Sequence, residues 1–309
     1  MRLRCGKSWR ASRRAAKDFR VSGAGASGTG AVTNAQLELL GTGTSSGVPV
    51  IGCECATCTS DDPHDRRLRT SAVLRFRDPQ GVDRVWLLDV SPDHREQALK
   101  SRILRCDGIL ITHSHMDHVW GLDEVRRYNA LMKTPIDLFA DEETLIDLQR
   151  VYQYIFQRHQ NVNNSFVADL IANRVTPGTP IERHGIRMTP FTLLHGRVPV
   201  LGWRLEAIDG GDGGGLFPMA YCTDVSAFPP QAYLHLQGLR TLVLDMLRFR
   251  AHPTHFTVDQ AVAHAGEIAA ETTVFVHMTH DIRHGELDPR LPAGMALGYD
   301  GLRLPRSPC

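Results

Sequence analysis

Long apolar runs are missing from this 309-residue chain: no stretch of about 18 apolar residues occurs, so nothing reads as a transmembrane helix. The start also lacks the apolar core of a secretory signal. No Gly-Lys-Ser/Thr follows the glycine-rich GTGTSSG at 41–47, so this is a tight turn rather than a nucleotide cradle. Net positive charge is confined to the first twenty residues. Those twenty hold eight Arg and Lys against the single Asp18, yet the whole chain has a formal net charge of +1, so the remainder is acidic. A broad nucleic-acid surface needs clustered Lys and Arg and is not expected. Internal repeats and any sign of a second domain are absent.

What is present suits one soluble globular unit, with 42% hydrophobic and 22% charged residues and ample length for a core. Residues 1–34, basic and then rich in Gly and Ser, read as a disordered or targeting-like tail, or as an overlong translation start. Residues 35–309 read as the folded domain. The expected compartment is the cytoplasm, with organelle targeting by the basic start left open. Seven cysteines make an odd number, and Cys53, Cys55 and Cys58 crowd into a C-x-C-x-x-C stretch. That pattern fits metal binding in a reducing compartment better than a disulfide framework. A closed zinc site takes four ligands, so one must arrive from elsewhere. Cys5 and Cys309 read as terminal residues, and Cys106 and Cys222 as core or near-core thiols.

Coarse patterning is mixed α/β. Strands are predicted from Gln36, over TSAVLRFRD and VDRVWLLDV, in CDGILITHSH, GIRMTPFTLLH, VLGWRLEAID, LFPMAYCTD, LRTLVLDML and TTVFVHMTH. Helices are predicted over DHREQALKSRI, over DHVWGLDEVRRYNALM with Val119, Leu122, Val125 and Leu131 on or near one face, over DEETLIDLQRVYQYIF, and over TVDQAVAHAGEIAAE. DGGDGGG at 209–215 reads as a flexible hairpin tip.

The strongest chemical signal is THSHMDHVWG. His113 and His115 leave an apolar strand, and Asp117 and His118 open the next helix, so alternate side chains can serve two points a few ångströms apart. Imidazole with carboxylate suits Zn, Fe or Mn, and two ions about 3.5–4 Å apart are the usual hydrolytic pair. Three further candidates each end an apolar strand: His195, Asp224 and His277. A carboxylate such as Asp224 can bridge two ions. Asp89, ending RVWLLD, fits the role of fixing a ligand histidine by accepting its hydrogen bond.

H-x-H-x-D-H followed at long intervals by His, Asp and His resembles the metallo-β-lactamase fold superfamily, over roughly residues 37–302. GTGTSSGVPVIGCECATC and VHMTH resemble its phosphoribosyl 1,2-cyclic phosphate phosphodiesterase-like branch. The resemblance implies an αββα four-layer sandwich and two divalent ions, Zn or Mn. One would be held by His113, His115 and His195, the other by Asp117, His118 and His277, with Asp224 between them. It also implies one structural Zn on Cys53, Cys55, Cys58 and His280, and a role for His255 in binding phosphate or protonating the leaving group. For the local sequence around His255, Thr257 as a helix N-cap is an equal reading. His64, His94, His159, His184, His235, His264 and His284 lack such company and read as surface residues.

The expected function is therefore a metal-dependent phosphodiesterase acting on a small cyclic phosphodiester (phosphoribosyl 1,2-cyclic phosphate or a cyclic nucleotide), with Asp117 and His255 as catalytic residues and a metal-bridged hydroxide as nucleophile. Expected partners are that small molecule, no stable nucleic acid, no membrane and, left open, a second copy of the chain. Competing readings are a thioester or lactone hydrolase on the same fold, and a non-catalytic metal-binding factor like that of quinone-cofactor biosynthesis.

Overall fold

The strands are apolar over most of their length instead of alternating, which requires cover on both faces. The computed structural model describes residues 30–157, 161–162 and 165–305. Most of the expected basic tail (1–29), His159, Cys5 and Cys309 lie outside the described residues. The first sheet contains β1 (Thr33–Gly41), β2 (Ser71–Arg77), β3 (Asp83–Leu88), β4 (Gly108–Leu110), β5 (Ile136–Ala140) and β6 (Leu170–Arg174). The second contains β7 (Ile181–Arg183), β8 (Ile186–His195), β9 (Val198–Ala207), β10 (Met219–Cys222), β11 (Thr241–Asp245), β12 (Thr272–Val276) and β13 (Met295–Leu297). β14 (Arg303–Leu304) returns to the first sheet beside β1.

Strand order is β14-β1-β2-β3-β4-β5-β6 in one sheet and β13-β12-β11-β10-β9-β8-β7 in the other. Each sheet passes from antiparallel to parallel pairing: β1, β2 and β3 are antiparallel and β3 to β6 parallel. Likewise β7 to β10 are antiparallel and β10 to β13 parallel. Leu74, Trp86, Leu88 and Phe139 of one sheet pack on Trp203, Leu205, Tyr221 and Val276 of the other. Outside the first sheet, Val73, Leu87 and Ile109 pack on Val119, Leu122, Val125 and Leu148. Outside the second, Leu193, Leu242 and Phe275 pack on Leu236, Ala261 and Ala265. The result is the four-layer αββα sandwich.

The helices are α1 (His94–Lys100), α2 (Met116–Val119), α3 (Arg126–Met132), α4 (Glu142–Val151), α5 (Gln153–Phe156), α6 (Tyr233–Leu236), α7 (Val258–Ile268) and α8 (His284–Leu287). The single helix expected over 117–132 is broken into α2, a 3-10 segment and α3. The exit of β3 competes for its backbone: Val90 N donates to His118 O at 2.7 Å and Gly121 N to Val90 O at 3.0 Å. Gly121 is essential to this approach, because a Cβ there would lie 2.2 Å from Ser91 O. Leu131 is 46% exposed and does not belong to the buried face. The next expected helix breaks at Tyr152, whose hydroxyl turns inward to donate to Val119 O at 2.9 Å. The glycine-rich stretch 209–215 is not a free tip, since Ala35 N donates to Gly213 O and Val32 N to Asp209 Oδ2. Cys106 and Cys222 are fully buried, as expected for core thiols.

Candidate metal centre

The exits of β3, β4, β8, β10, β11 and β12 face one another where the two sheets meet, the usual place for a site in parallel strands. Asp89, Asp224 and His277, each just past a strand, have left-handed backbone at φ 58°, 53° and 65°. For a residue with a Cβ this costs about 1–2 kcal/mol, and such strain is retained where surrounding contacts over-determine it. Here it turns each side chain sharply out of its strand and toward the seam.

Two groups of ligand atoms result. His113, His115, His195 and Asp224 form one; Asp117, His118, Asp224 and His277 form the other. Asp224 belongs to both through different oxygens. Its Oδ1 lies 3.0 Å from His118 Nε2 and 3.2 Å from His277 Nε2, and its Oδ2 lies 3.7 Å from His113 Nε2 and 3.9 Å from His195 Nε2. Asp117 Oδ2 completes the second group at 3.4 Å from His118 Nε2 and 3.5 Å from His277 Nε2.

The residues beyond these fix which ring nitrogen faces inward. His118 Nδ1 donates to Asp89 Oδ2 at 2.8 Å, and Asp89 also accepts from Thr112 N and Thr112 Oγ1. His195 Nδ1 donates to Thr254 O at 2.8 Å. Both imidazoles therefore direct Nε2 to the seam. The loop Thr42–Thr44 clamps the exit of β12, with Met278 N donating to Thr42 O and Thr44 N to Met278 O. This is the expected passage of the GTGTSSG backbone beside the site.

The electrostatics suit cations. Burial lowers the His113 pKa well below the usual imidazole value, and His118 reinforces this. Burial acts on His118 in the same sense but is overcome by Asp224, Asp117 and Asp89, which push its pKa well above the usual value. Burial would raise Asp117 and Asp224, yet His118 and His277 hold both carboxylates far below their usual range. The carboxylates are thus ionised in a dry seam that demands compensating positive charge. The Nε2 atoms of His113, His118 and His277 are buried without a hydrogen-bond partner among the described residues. Divalent ions satisfy both requirements, and the nitrogen–oxygen separations of the second group match the edge of about 3.3 Å that 2.0–2.1 Å bonds produce in a tetrahedron.

A separate group stands apart. His280 Nδ1 lies 3.2, 3.5 and 3.4 Å from the sulfurs of Cys53, Cys55 and Cys58. These fit the sulfur–nitrogen edge of about 3.6 Å of a Cys3His zinc site. A backbone hydrogen bond from Cys58 leads in lowering the Cys55 thiol to about 6, while burial raises Cys58 to about 11.

His255 is buried beside the seam, its ring stacked on His277 at 4.8 Å and edge-on to His195 at 4.6 Å. Its Nδ1 donates to Asp245 Oδ1 at 3.0 Å, and its Nε2 lies 4.0 Å from Asp224 Oδ2. Thr257 does cap α7, with Gln260 completing a capping box. The two readings of this stretch are compatible. Sequence reasoning missed Asp245, which also accepts from Phe256 N and lies 3.6 Å from His277 Nδ1. The signal was available: Asp245 ends TLVLD as Asp89 ends VWLLD. His94 and His284 are not surface residues, at 1% and 8% exposure. His94 is held in the core by the Tyr128 hydroxyl at 2.9 Å.

A seam of paired ligand groups between stacked sheets defines a candidate metal centre of the metallo-β-lactamase fold. The chain belongs to the β-lactamase superfamily, whose domain model matches residues 84–278. The crystal structure of a new diphosphatase from the PhnP family superposes with a TM-score of 0.77 at 39% identity, covering 88% of this chain and 97% of that one. The octanoyltransferase of Porphyromonas gingivalis is 34% identical over 266 residues, 85% of this chain and 50% of that protein. A ribonuclease Z of Picosynechococcus sp. is 27% identical over 214 residues, 68% of this chain and 58% of that protein. The chain thus spans between half and three fifths of these two curated relatives.

Proposed function

We propose that the chain hydrolyses a phosphodiester, preferentially a small cyclic one such as phosphoribosyl 1,2-cyclic phosphate or a cyclic nucleotide. The observation that carries this reading is His255, an imidazole beside the two ligand groups but outside both. His113, His115, His195 and Asp224 would hold one divalent ion, and Asp117, His118, His277 and Asp224 the other. When bound, such ions polarise phosphate oxygens and bring the pKa of water toward neutrality.

The chain's own residues supply the rest. Asp245 accepts from His255 Nδ1 and so holds the ring with Nε2 facing Asp224, where it can deliver a proton to a leaving group. A phosphodiester expels an alkoxide that needs such a proton, whereas a thiolate leaves without one. Asp89 and the Thr254 carbonyl keep His118 and His195 in the tautomer that points Nε2 inward. The diphosphatase and ribonuclease Z relatives support phosphorus–oxygen cleavage. The octanoyltransferase relative, of which the chain spans half, leaves acyl-group chemistry as a second reading.

The test compares rates of Mn- and Zn-reconstituted protein on ribose 1,2-cyclic phosphate, 2′,3′- and 3′,5′-cyclic nucleotides, a linear dinucleotide, a diphosphate diester and an acyl thioester. The expected result is fast cleavage of a cyclic phosphodiester, reduced by orders of magnitude in Asp117→Ala. Preferential cleavage of the thioester, or no cleavage with both ions bound, overturns the proposal.

A further inference from the structure

The chain segments that bring the three cysteines to His280 meet a second time, four residues on from Cys58 and four on from His280. There Asp62, His64 and His284 each offer a ligand atom, all within 4.8 Å of one another. His64 Nδ1 lies 3.8 Å from Asp62 Oδ1, and the two imidazole rings are 4.6 Å apart. None of these residues belongs to the groups described above.

Two independent features point to a cation. His284 is only 8% exposed, and its Nε2 is buried with no hydrogen-bond partner among the described residues. The same signature marks His113, His118 and His277. The second feature is a cavity of about 540 Å³ that opens on His64 and His284 and is also lined by Asp288, Tyr299 and Arg303. It leaves room for solvent to complete a coordination shell.

The scaffold is rigid enough to hold a shell. Arg67, buried to 1% exposure, donates to Thr279 O, Ile282 O and Asp65 Oδ1. Asp65 Oδ1 in turn accepts from His284 N at 2.8 Å. The Tyr299 ring stacks on His64 at 4.1 Å and holds its plane.

We propose that Asp62, His64 and His284 form a further divalent-metal site. Two imidazoles and one carboxylate suit a borderline ion such as Zn²⁺ or Co²⁺ over Ca²⁺ or Mg²⁺. Three protein ligands leave a position open toward the cavity, unlike the closed Cys3His group. The site is independent of the hydrolytic reading.

The test uses the full-length protein stripped with chelator, then equilibrated separately with Zn²⁺ and with Co²⁺. Bound metal per chain is measured for wild type, His64→Gln and His284→Gln. The expected result is the loss of one metal equivalent per chain in each variant. Thiolate-bound metal, read from the sulfur-to-Co²⁺ absorption, and hydrolytic rate stay as in wild type. Should the buried His284→Gln variant misfold, the half-exposed His64→Gln carries the comparison. Equal metal content in wild type and folded His64→Gln, across the range of free Zn²⁺ that fills the other sites, overturns the proposal.

Discussion

Replacing Asp245 with Asn tests how His255 acts. The side chain keeps its shape and can still accept from Phe256 N, the bond Asp245 makes at 3.0 Å. What changes is the partner of His255 Nδ1, now 3.0 Å from a carboxylate oxygen. An amide NH2 in that place makes Nδ1 an acceptor, so the hydrogen bond that the ring donates to a carboxylate while Nε2 gives up its proton is lost. A hydrogen bond to a charged group contributes about 1.5–3 kcal/mol. At about 1.4 kcal/mol per decade, its loss lowers turnover roughly 10- to 150-fold, which reaches the lower end of the range of about 10²–10⁴ for general acid catalysis. The assay compares a cyclic phosphodiester, whose alkoxide needs a proton, with bis(p-nitrophenyl) phosphate, whose phenolate does not. Metal content is measured in parallel because Asp245 also lies 3.6 Å from His277 Nδ1. The expected outcome is a loss of about one to two decades on the first substrate and less than about threefold on the second. Equal losses on both at unchanged metal content would refute the argument.

Three further outcomes are expected. Cys55→Ser removes one sulfur from the group around His280; it should lower Tm and bind one zinc fewer before it affects turnover at low temperature, as metal counting and calorimetry will tell. Asp300, hydrogen-bonded to Leu68 N and Thr42 Oγ1, is raised by burial to about 7. Between the unfolded value of about 3.9 and 7 the folded chain retains a proton that the unfolded chain has lost. Its contribution is therefore complete below about pH 4 and is lost as the pH rises through about 7, with an upper bound of about 4 kcal/mol that partial exposure reduces. Asp300→Asn should accordingly gain stability relative to wild type between pH 5 and 8; a constant difference in denaturant midpoint would exclude this assignment. Finally, His118 and His277 carry raised pKa values in the metal-free seam. Loading the stripped protein with Zn²⁺ near neutral pH should therefore release protons, measurable as a dependence of calorimetric binding heat on buffer ionisation enthalpy. Metal uptake with no such dependence would contradict the charge balance inferred for the seam.

Much of the centre was legible because its residues sit where patterns change. Each of His113, His195, Asp224 and His277 follows an apolar strand, and the short spacing from His113 to His118 is itself distinctive. Asp245 carried the same mark but no local motif. The broken helix after Asp117 was not legible, because its cause is the β3 exit, where Val90 N takes the carbonyl of His118 from 28 residues away. β6 was missed since an edge strand with mostly exposed side chains shows no apolar period. β7, β13 and β14 are two or three residues long, too short for any period. His284 looked ordinary because its surroundings, Arg67 and Tyr299, are remote in sequence.

The matched strand order of the two sheets has a consequence for how the molecule assembles. The first group takes His113 and His115 from the half ending at β6, and His195 and Asp224 from the half beginning at β7. The second takes Asp117 and His118 from one half and Asp224 and His277 from the other. Neither half alone owns more than two members of either group. A chain nicked between Arg174 and Ile181 would yield two fragments that each bind metal poorly, and the ions would then act as a reporter of their reassociation. Metal affinity in this architecture is a property of the joined halves, acquired at the moment the sandwich closes.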